Sequence, residues 1–158
     1  MRDWRLWLVP STLVIVLDQF TKHWIAQAFG FGEASPITSF FNLVLAHNTG
    51  AAFSFLAGAG GWQRVFFIVV ASVASAVILY LLRKHGQQTL FGLALSLVLG
   101  GALGNLIDRI RWGYVVDFLD FYYGNYHWPA FNVADMAITG GVILLVLDSM
   151  RKPMDKKS

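Results

Sequence analysis

Asp117 and Asp135 stand in short apolar settings, Val115-Val116-Asp117-Phe118 and Phe131-Asn132-Val133-Ala134-Asp135, in a chain otherwise rich in residues that suit lipid. A carboxylate placed where water is scarce is costly unless it is paired, protonated or used. Two carboxylates held close cannot both ionise cheaply, so one keeps a proton while the other takes one from water. That pairing supplies the acid and the base for hydrolysing an amide without a metal or a covalent intermediate. Other chemistries lack parts: the chain has no His-Glu-x-x-His run, no Gly-x-Ser-x-Gly elbow and no phosphate-binding loop. His23, His47, His85 and His127 share no ligand spacing and read as interfacial or loop residues. The absence of cysteine excludes thiol catalysis, disulfides and cysteine metal sites. No metal and no other cofactor is expected.

Further polar residues accompany the pair. Asp18 and Lys22 are four apart with the acid on the N-terminal side, the arrangement of a helical ion pair, and a structural role is the simpler reading. Gly104-Asn105-Leu106-Ile107-Asp108-Arg109 places an amide, an acid and a guanidinium where an apolar stretch ends. Arg109 there either snorkels toward phosphates or organises a site. Asn132 precedes Asp135 by three, as in a capping box with Asp in place of Glu or Gln. Taken alone, Asp135 is more often a helix-start residue than a catalyst; Asp117 has no such structural explanation.

The elements that must hold these groups are membrane elements. Of 158 residues, 56% are hydrophobic and 13% charged, against about a quarter charged in a soluble domain. The apolar residues gather into four runs, at about 6–29, 65–82, 90–106 and 133–150, each near the roughly 20 residues that cross a bilayer core. No linker or repeat interrupts them, so a single membrane domain is expected over 1–158. The net charge of +3 is too small and scattered for a nucleic-acid surface. With the N-terminus cytoplasmic, the inner segments hold Arg2, Arg5, Arg83, Lys84, Arg151, Lys152, Lys156 and Lys157, and the outer ones only Arg64, Arg109 and Arg111. The positive-inside rule then puts both termini in the cytoplasm and the long loops, about 30–64 and 107–132, outside. A cleaved leader is the rival reading of the first run, but Asp18, Gln19, Lys22 and His23 suit a retained helix lining a bundle.

Local patterns add detail. Gly92, Ser96, Gly100 and Gly104 recur every four residues, a stripe that lets a neighbouring backbone come close. Residues 37–46 and 51–56 are apolar on either side of His47-Asn48-Thr49-Gly50, which predicts a hairpin turning at that tetrapeptide and resting on the membrane surface. Val115–Tyr123 reads as a further extended piece. Trp62, Tyr122, Tyr123, Tyr126 and Trp128 suit the headgroup belt.

Five ordered blocks carry a resemblance across almost the whole chain: Asp18-Gln19-Phe20-Thr21-Lys22, Asn48-Thr49-Gly50-Ala51-Ala52-Phe53, the segment from Gly100 to Arg109, Val115-Val116-Asp117-Phe118, and Phe131-Asn132-Val133-Ala134-Asp135. Together they resemble the signature of bacterial lipoprotein signal peptidase, or signal peptidase II. The resemblance implies an aspartic endopeptidase of the bacterial cytoplasmic (inner) membrane, active at its outer face. Its substrates would be diacylglyceryl-modified prolipoproteins, cut before the lipidated cysteine. It implies an all-α membrane protein, a four-helix transmembrane bundle with a small extracytoplasmic β-hairpin or β-cradle element on the membrane surface. Asp117 and Asp135 match the catalytic pair. Asp18, Lys22, Asn48, Gly50, Asn105, Arg109 and Asn132 match residues that support the site or contact substrate and globomycin-type inhibitors. Membrane lipids are the other expected partners. A small proton-coupled carrier and a non-catalytic assembly factor are the alternatives from other classes; acids gathered at one end and the lack of paired repeats weigh against the carrier.

Overall fold

The computed structural model describes residues 3–50 and 61–151. After a 3-10 turn, Trp4–Trp7, the chain forms α1 (Leu8–Ala28), β1 (Ala34–Thr38), β2 (Phe41–Asn48), α2 (Trp62–His85), α3 (Thr89–Arg111), β3 (Val115–Tyr123), β4 (Tyr126–His127) and α4 (Val133–Arg151). α2, α3 and α4 are long and apolar enough to cross a membrane. α1, with 21 residues, is of similar length, but Asp18, Gln19, Lys22 and His23 reduce its apolar content. Its Asp18 and Lys22 are buried, whereas Leu13, Val16, Leu17, Phe20 and Trp24 are exposed. Charges inside and large apolar side chains outside invert the pattern of a water-soluble helix.

α3 packs against all three other helices, and its small residues allow the approach. Gly92 lies against the Trp7 indole, and a Cβ at Gly100 would sit 2.7 Å from the Val14 Cβ of α1. Between them Ser96 accepts a hydrogen bond at its carbonyl from Ser11 Oγ at 2.8 Å. Gly101 and Gly104 meet Ala134 at the start of α4, and Gly141 of α4 receives Val98. Trp7, Ile78, Leu82, Leu95 and Leu99 fill the core away from the sheet.

α2 begins and α3 ends nearer the loops than the apolar runs predict, and Arg64 ties the two ends together. Its Nε and Nη2 donate to the Arg109 and Ile110 carbonyls at 2.9 and 2.8 Å, adding donors to the last turn of α3, where intrahelical donors run out. Gly113, at φ +85°, then turns the chain in the left-handed conformation that favours glycine.

The β element is a four-stranded antiparallel sheet in the order β1-β2-β3-β4, so the fold is helical with a sheet at one end. β3 spans the predicted residues. The first hairpin differs from expectation: it turns at 39–40, and β2 continues through His47 and Asn48, which pair with Val116 and Val115. Pairing with β3 draws His47 and Asn48, the first two of the four predicted turn residues, into the strand, while Asn48 Oδ1 accepts from Gly50 N just beyond it. The expected second arm, 51–56, lies outside the described residues. Between Leu43 and Ala46 the register slips by one, a bulge beside Asp117 of the kind that re-aims side chains. Leu45, Val116 and Phe118 pack on Ile25 and fasten the sheet to α1.

Candidate active site

Asp117 leaves β3 into the seam between the sheet and the start of α4, 2% exposed. Phe131 bridges to Leu119: its carbonyl accepts from Phe118 N and Leu119 N at 3.0 and 2.9 Å. The next residue, Asn132, therefore lies beside Asp117 and begins α4. The capping box forms as the sequence predicts, with Asp135 N donating to Asn132 Oδ1 at 2.9 Å and Asn132 N to Asp135 Oδ2 at 3.3 Å.

Three asparagine amides grip the two acids, and each has its orientation fixed by an obligatory donor. Asn132 Oδ1 accepts from Asp135 N, so its Nδ2 faces Asp117 Oδ1 at 2.7 Å. Asn48 Oδ1 accepts from Gly50 N at 2.9 Å, so its Nδ2 faces Asp117 Oδ2 at 3.0 Å. Asn105 Oδ1 accepts from Lys22 Nζ at 2.9 Å, so its Nδ2 faces Asp135 Oδ1 at 2.8 Å. A backbone N–H or an ammonium cannot accept, so none of the three amides can flip without setting donor against donor.

Behind the amides lies a buried charge cluster. Lys22 Nζ is 2.8 Å from Asp18 Oδ2 and 3.0 Å from Asp108 Oδ2. Asp18 Oδ1 accepts from Ala134 N at 2.9 Å, so a carboxylate of α1 caps the N-terminus of α4. Gln19 Nε2 reaches Asp108 Oδ1 at 2.8 Å, and Asp108 Oδ2 also accepts from Val116 N at 3.2 Å. Arg109 is turned inward: Nη2 donates to the Gly50 carbonyl at 2.7 Å, and the guanidinium lies 4.9 Å from the Phe67 ring centroid. Of the two readings of Arg109, the organising one fits this placement.

Asn48, Asn105, Arg109, Asp117 and Asp135 line one cavity of about 800 Å³, with Trp128, Phe131 and Ile138 among its apolar walls. That size takes an extended peptide or acyl segment, and a few polar groups in an apolar cleft are the common composition of a binding site. Burial pushes the Asp117 carboxyl up from 3.8 to about 7, and the Asp135 charge adds to the rise. The amides of Asn48 and Asn132 and the charge of Lys22 oppose it.

The family model for signal peptidase (SPase) II matches residues 11–151. The chain belongs to the signal peptidase II family. A lipoprotein signal peptidase of Cupriavidus necator is 60% identical over 147 residues, 93% of this chain and 84% of that one. One from Paraburkholderia phytofirmans is 57% identical over 146 residues, 92% of this chain and 85% of its own. A solved bacterial membrane enzyme structure superposes with a TM-score of 0.85 at 32% identity, covering 97% of this chain and 92% of that one. The protein is thus a lipoprotein-processing signal peptidase by family, with membrane-type helices.

In this signal peptidase II member, every residue singled out for the site from sequence falls in one contiguous network: Asp18, Lys22, Asn48, Gly50, Asn105, Arg109, Asp117, Asn132 and Asp135. Gln19 and Asp108 belong to it as well and were not singled out as site residues. Asp108 follows Gly104 by one helical turn, on the face that Gly104 turns to Asp18, and that spacing was the available signal. Among the histidines, His47 stacks on Tyr114 at 3.9 Å, and burial lowers its pKa.

Proposed function

We propose that the chain is an aspartic endopeptidase that removes the signal peptide from diacylglyceryl-modified prolipoproteins, hydrolysing the bond before the lipidated cysteine. The observation that carries this reading is the pair of carboxylates on one cavity wall, each held by amides of fixed orientation. Asp117, whose carboxyl is pushed up to about 7 and so keeps a proton to far higher pH than a free aspartic acid, is assigned the acid role, and Asp135 that of the base. Asp135 takes a proton from water as the water oxygen attacks the scissile carbonyl carbon, while Asp117 protonates the carbonyl oxygen to give a gem-diol. On collapse Asp135 gives its proton to the leaving nitrogen, the C–N bond breaks, and Asp117 recovers a proton from the diol. Asn48, Asn105 and Asn132 aim the carboxylates, Asp18, paired with Lys22, holds the start of α4, and Arg109, fastened to the Gly50 carbonyl, borders the cavity where substrate or a globomycin-type inhibitor would lie.

The same reading makes α1 a fourth span, because its 21 residues reach about 31 Å, close to the roughly 30 Å of a bilayer core. Arg5, Arg83, Lys84 and Arg151 sit at helix ends away from the sheet. That placement supports cytoplasmic termini and a site at the outer face of the bacterial inner membrane. A substrate anchored by acyl chains would then approach sideways through lipid, with its scissile bond at the level of the sheet.

The test is cleavage of a diacylglyceryl-cysteine peptide by the purified chain in detergent. The wild type should release the signal peptide, and folded Asp117→Asn and Asp135→Asn variants should not. Turnover by either variant above the level of reverted protein, or none by the wild type, would overturn the assignment.

A further inference from the structure

A second titratable cluster lies outside the network of Asp117 and Asp135. Asp120 is three residues beyond Asp117 on β3, so strand alternation sends its side chain to the opposite face. It is buried, and its Oδ2 accepts from Asn42 Nδ2 of the directly paired β2 residue at 2.9 Å. Nδ1 of His127, on β4, lies 3.0 and 2.9 Å from its two oxygens. A carboxylate only accepts, so Nδ1 carries the proton. The imidazole also stacks on Tyr122, with ring centroids 5.1 Å apart and planes inclined by 17°.

The residues just after His127 give the cluster its significance. Trp128, Pro129, Ala130 and Phe131 form a continuous stretch of the cavity wall, and then Asn132 joins the amide network. Within the stretch Trp128 N donates to the Phe121 carbonyl at 2.7 Å, Phe131 N to that of Leu119 at 3.1 Å, and Pro129 has no N–H to give. β4 has two residues, and so short a hairpin is marginal unless side chains fasten it. The far end of the wall is fixed by Asn132; at the near end the clasp of His127 on Asp120 adds a side-chain fastening to the short β4 pairing and the Trp128 N–H bond.

We infer that Asp120 and His127 are positioning residues that hold the Trp128–Phe131 wall against bound substrate, and so set substrate affinity without taking part in bond cleavage. The inference rests on the peptidase reading for its effect on affinity, while the clasp itself is a property of the unliganded protein.

The experiment uses the full chain in detergent, with His127→Ala as the principal variant because the imidazole is half exposed and its removal leaves the core intact. For the diacylglyceryl-cysteine peptide, KM should rise about tenfold, the factor that 1.4 kcal/mol of lost binding gives, with kcat within about twofold of wild type. Amide exchange over 126–131 should quicken in the unliganded variant while that of α3 stays unchanged. His127→Gln, which can still donate to Asp120, should recover most of both effects, and Asp120→Ala combined with His127→Ala should be no worse than Asp120→Ala alone. Unchanged exchange would overturn the clasp. Faster exchange with unchanged KM, or a fall in kcat at constant KM, would overturn its role in affinity. If the wild type cleaves nothing, the peptidase reading fails by itself, and the exchange comparison still decides whether the clasp holds the wall.

Discussion

Asp117→Asn should change the pH dependence of stability as well as activity, and the size of the change can be worked from the site. Folding raises the Asp117 pKa from 3.8 to about 7, roughly three units, or about 4 kcal/mol at 1.36 kcal/mol per unit. Because the folded value is the higher one, the neutral carboxyl stabilises the fold fully below pH 3.8, and that contribution is lost as pH rises through about 7. Between pH 4.5 and 8.5 the wild type should lose about 3 kcal/mol from this group. Asparagine has no charge to lose at any pH. Its own cost is a second amide facing Asn48 Nδ2 and Asn132 Nδ2, about 1–3 kcal/mol for a donor left without an acceptor, and this cost does not vary with pH. The variant should therefore be the less stable protein at pH 4.5 and the equal or more stable one at pH 8.5. Denaturant unfolding in detergent at half-unit pH steps, followed by tryptophan fluorescence, measures the difference. A stability difference between variant and wild type that stays flat within about 1 kcal/mol across this range would refute the claim that Asp117 is held protonated by its surroundings.

Three further outcomes are expected. Gly104→Ala and Gly140→Ala should act in opposite directions: a Cβ at Gly104 sits 2.7 Å from Asp18 Oδ2, whereas Gly140 has nothing within 4 Å. Thermal unfolding should show a loss of about 1–3 kcal/mol for the first and a gain of up to about 1 kcal/mol for the second; equal effects would contradict the packing. Asp18→Ala removes the α4 cap and one partner of Lys22, so it should lower stability by about 3–5 kcal/mol; unaltered stability with lost cleavage would mean that the pair serves chemistry instead. A peptide with an unmodified cysteine should be cut very slowly or not at all, since acyl chains contribute about 0.8 kcal/mol per buried CH₂ and align the bond with the site; equal initial rates at matched detergent would rule out approach through lipid.

What could be read in the sequence was what local physics controls. The Asn132–Asp135 box and the Asp18–Lys22 pair span three and four residues, so helical spacing alone brings their groups together. The stripe from Gly92 to Gly104 was legible because small residues at four-residue spacing have one use in a packed bundle. Features that depend on distant partners were not. His47 and Asn48 carry turn chemistry, yet pairing with Val116 and Val115, more than 60 residues away, keeps them in a strand. Gln19 is an ordinary polar residue until Asp108, 89 positions on, supplies its acceptor. The helix limits near 62 and 111 were hidden because they depend on Arg64 reaching carbonyls 45 and 46 residues away.

The buried charges are hard to justify by stability alone. An ammonium between two carboxylates loses its hydration, and apolar replacements of such clusters are often as stable or more so. Lys22 offers three N–H donors, and Asp18, Asp108 and Asn105 Oδ1 take them all. An ammonium accepts nothing, so Asn105 can face it only with oxygen and must turn its nitrogen to Asp135. A neutral amide in place of Lys22 would allow Asn105 either orientation, and one of the two would point oxygen against the Asp135 carboxylate. The same holds for Asn132, whose Oδ1 is claimed by Asp135 N, and for Asn48, claimed by Gly50 N. The charge of Lys22 thus does for a side-chain amide what backbone N–H groups do for the other two: it leaves one hydrogen-bonding pattern, in which every amide donates to a carboxylate that the cavity exposes.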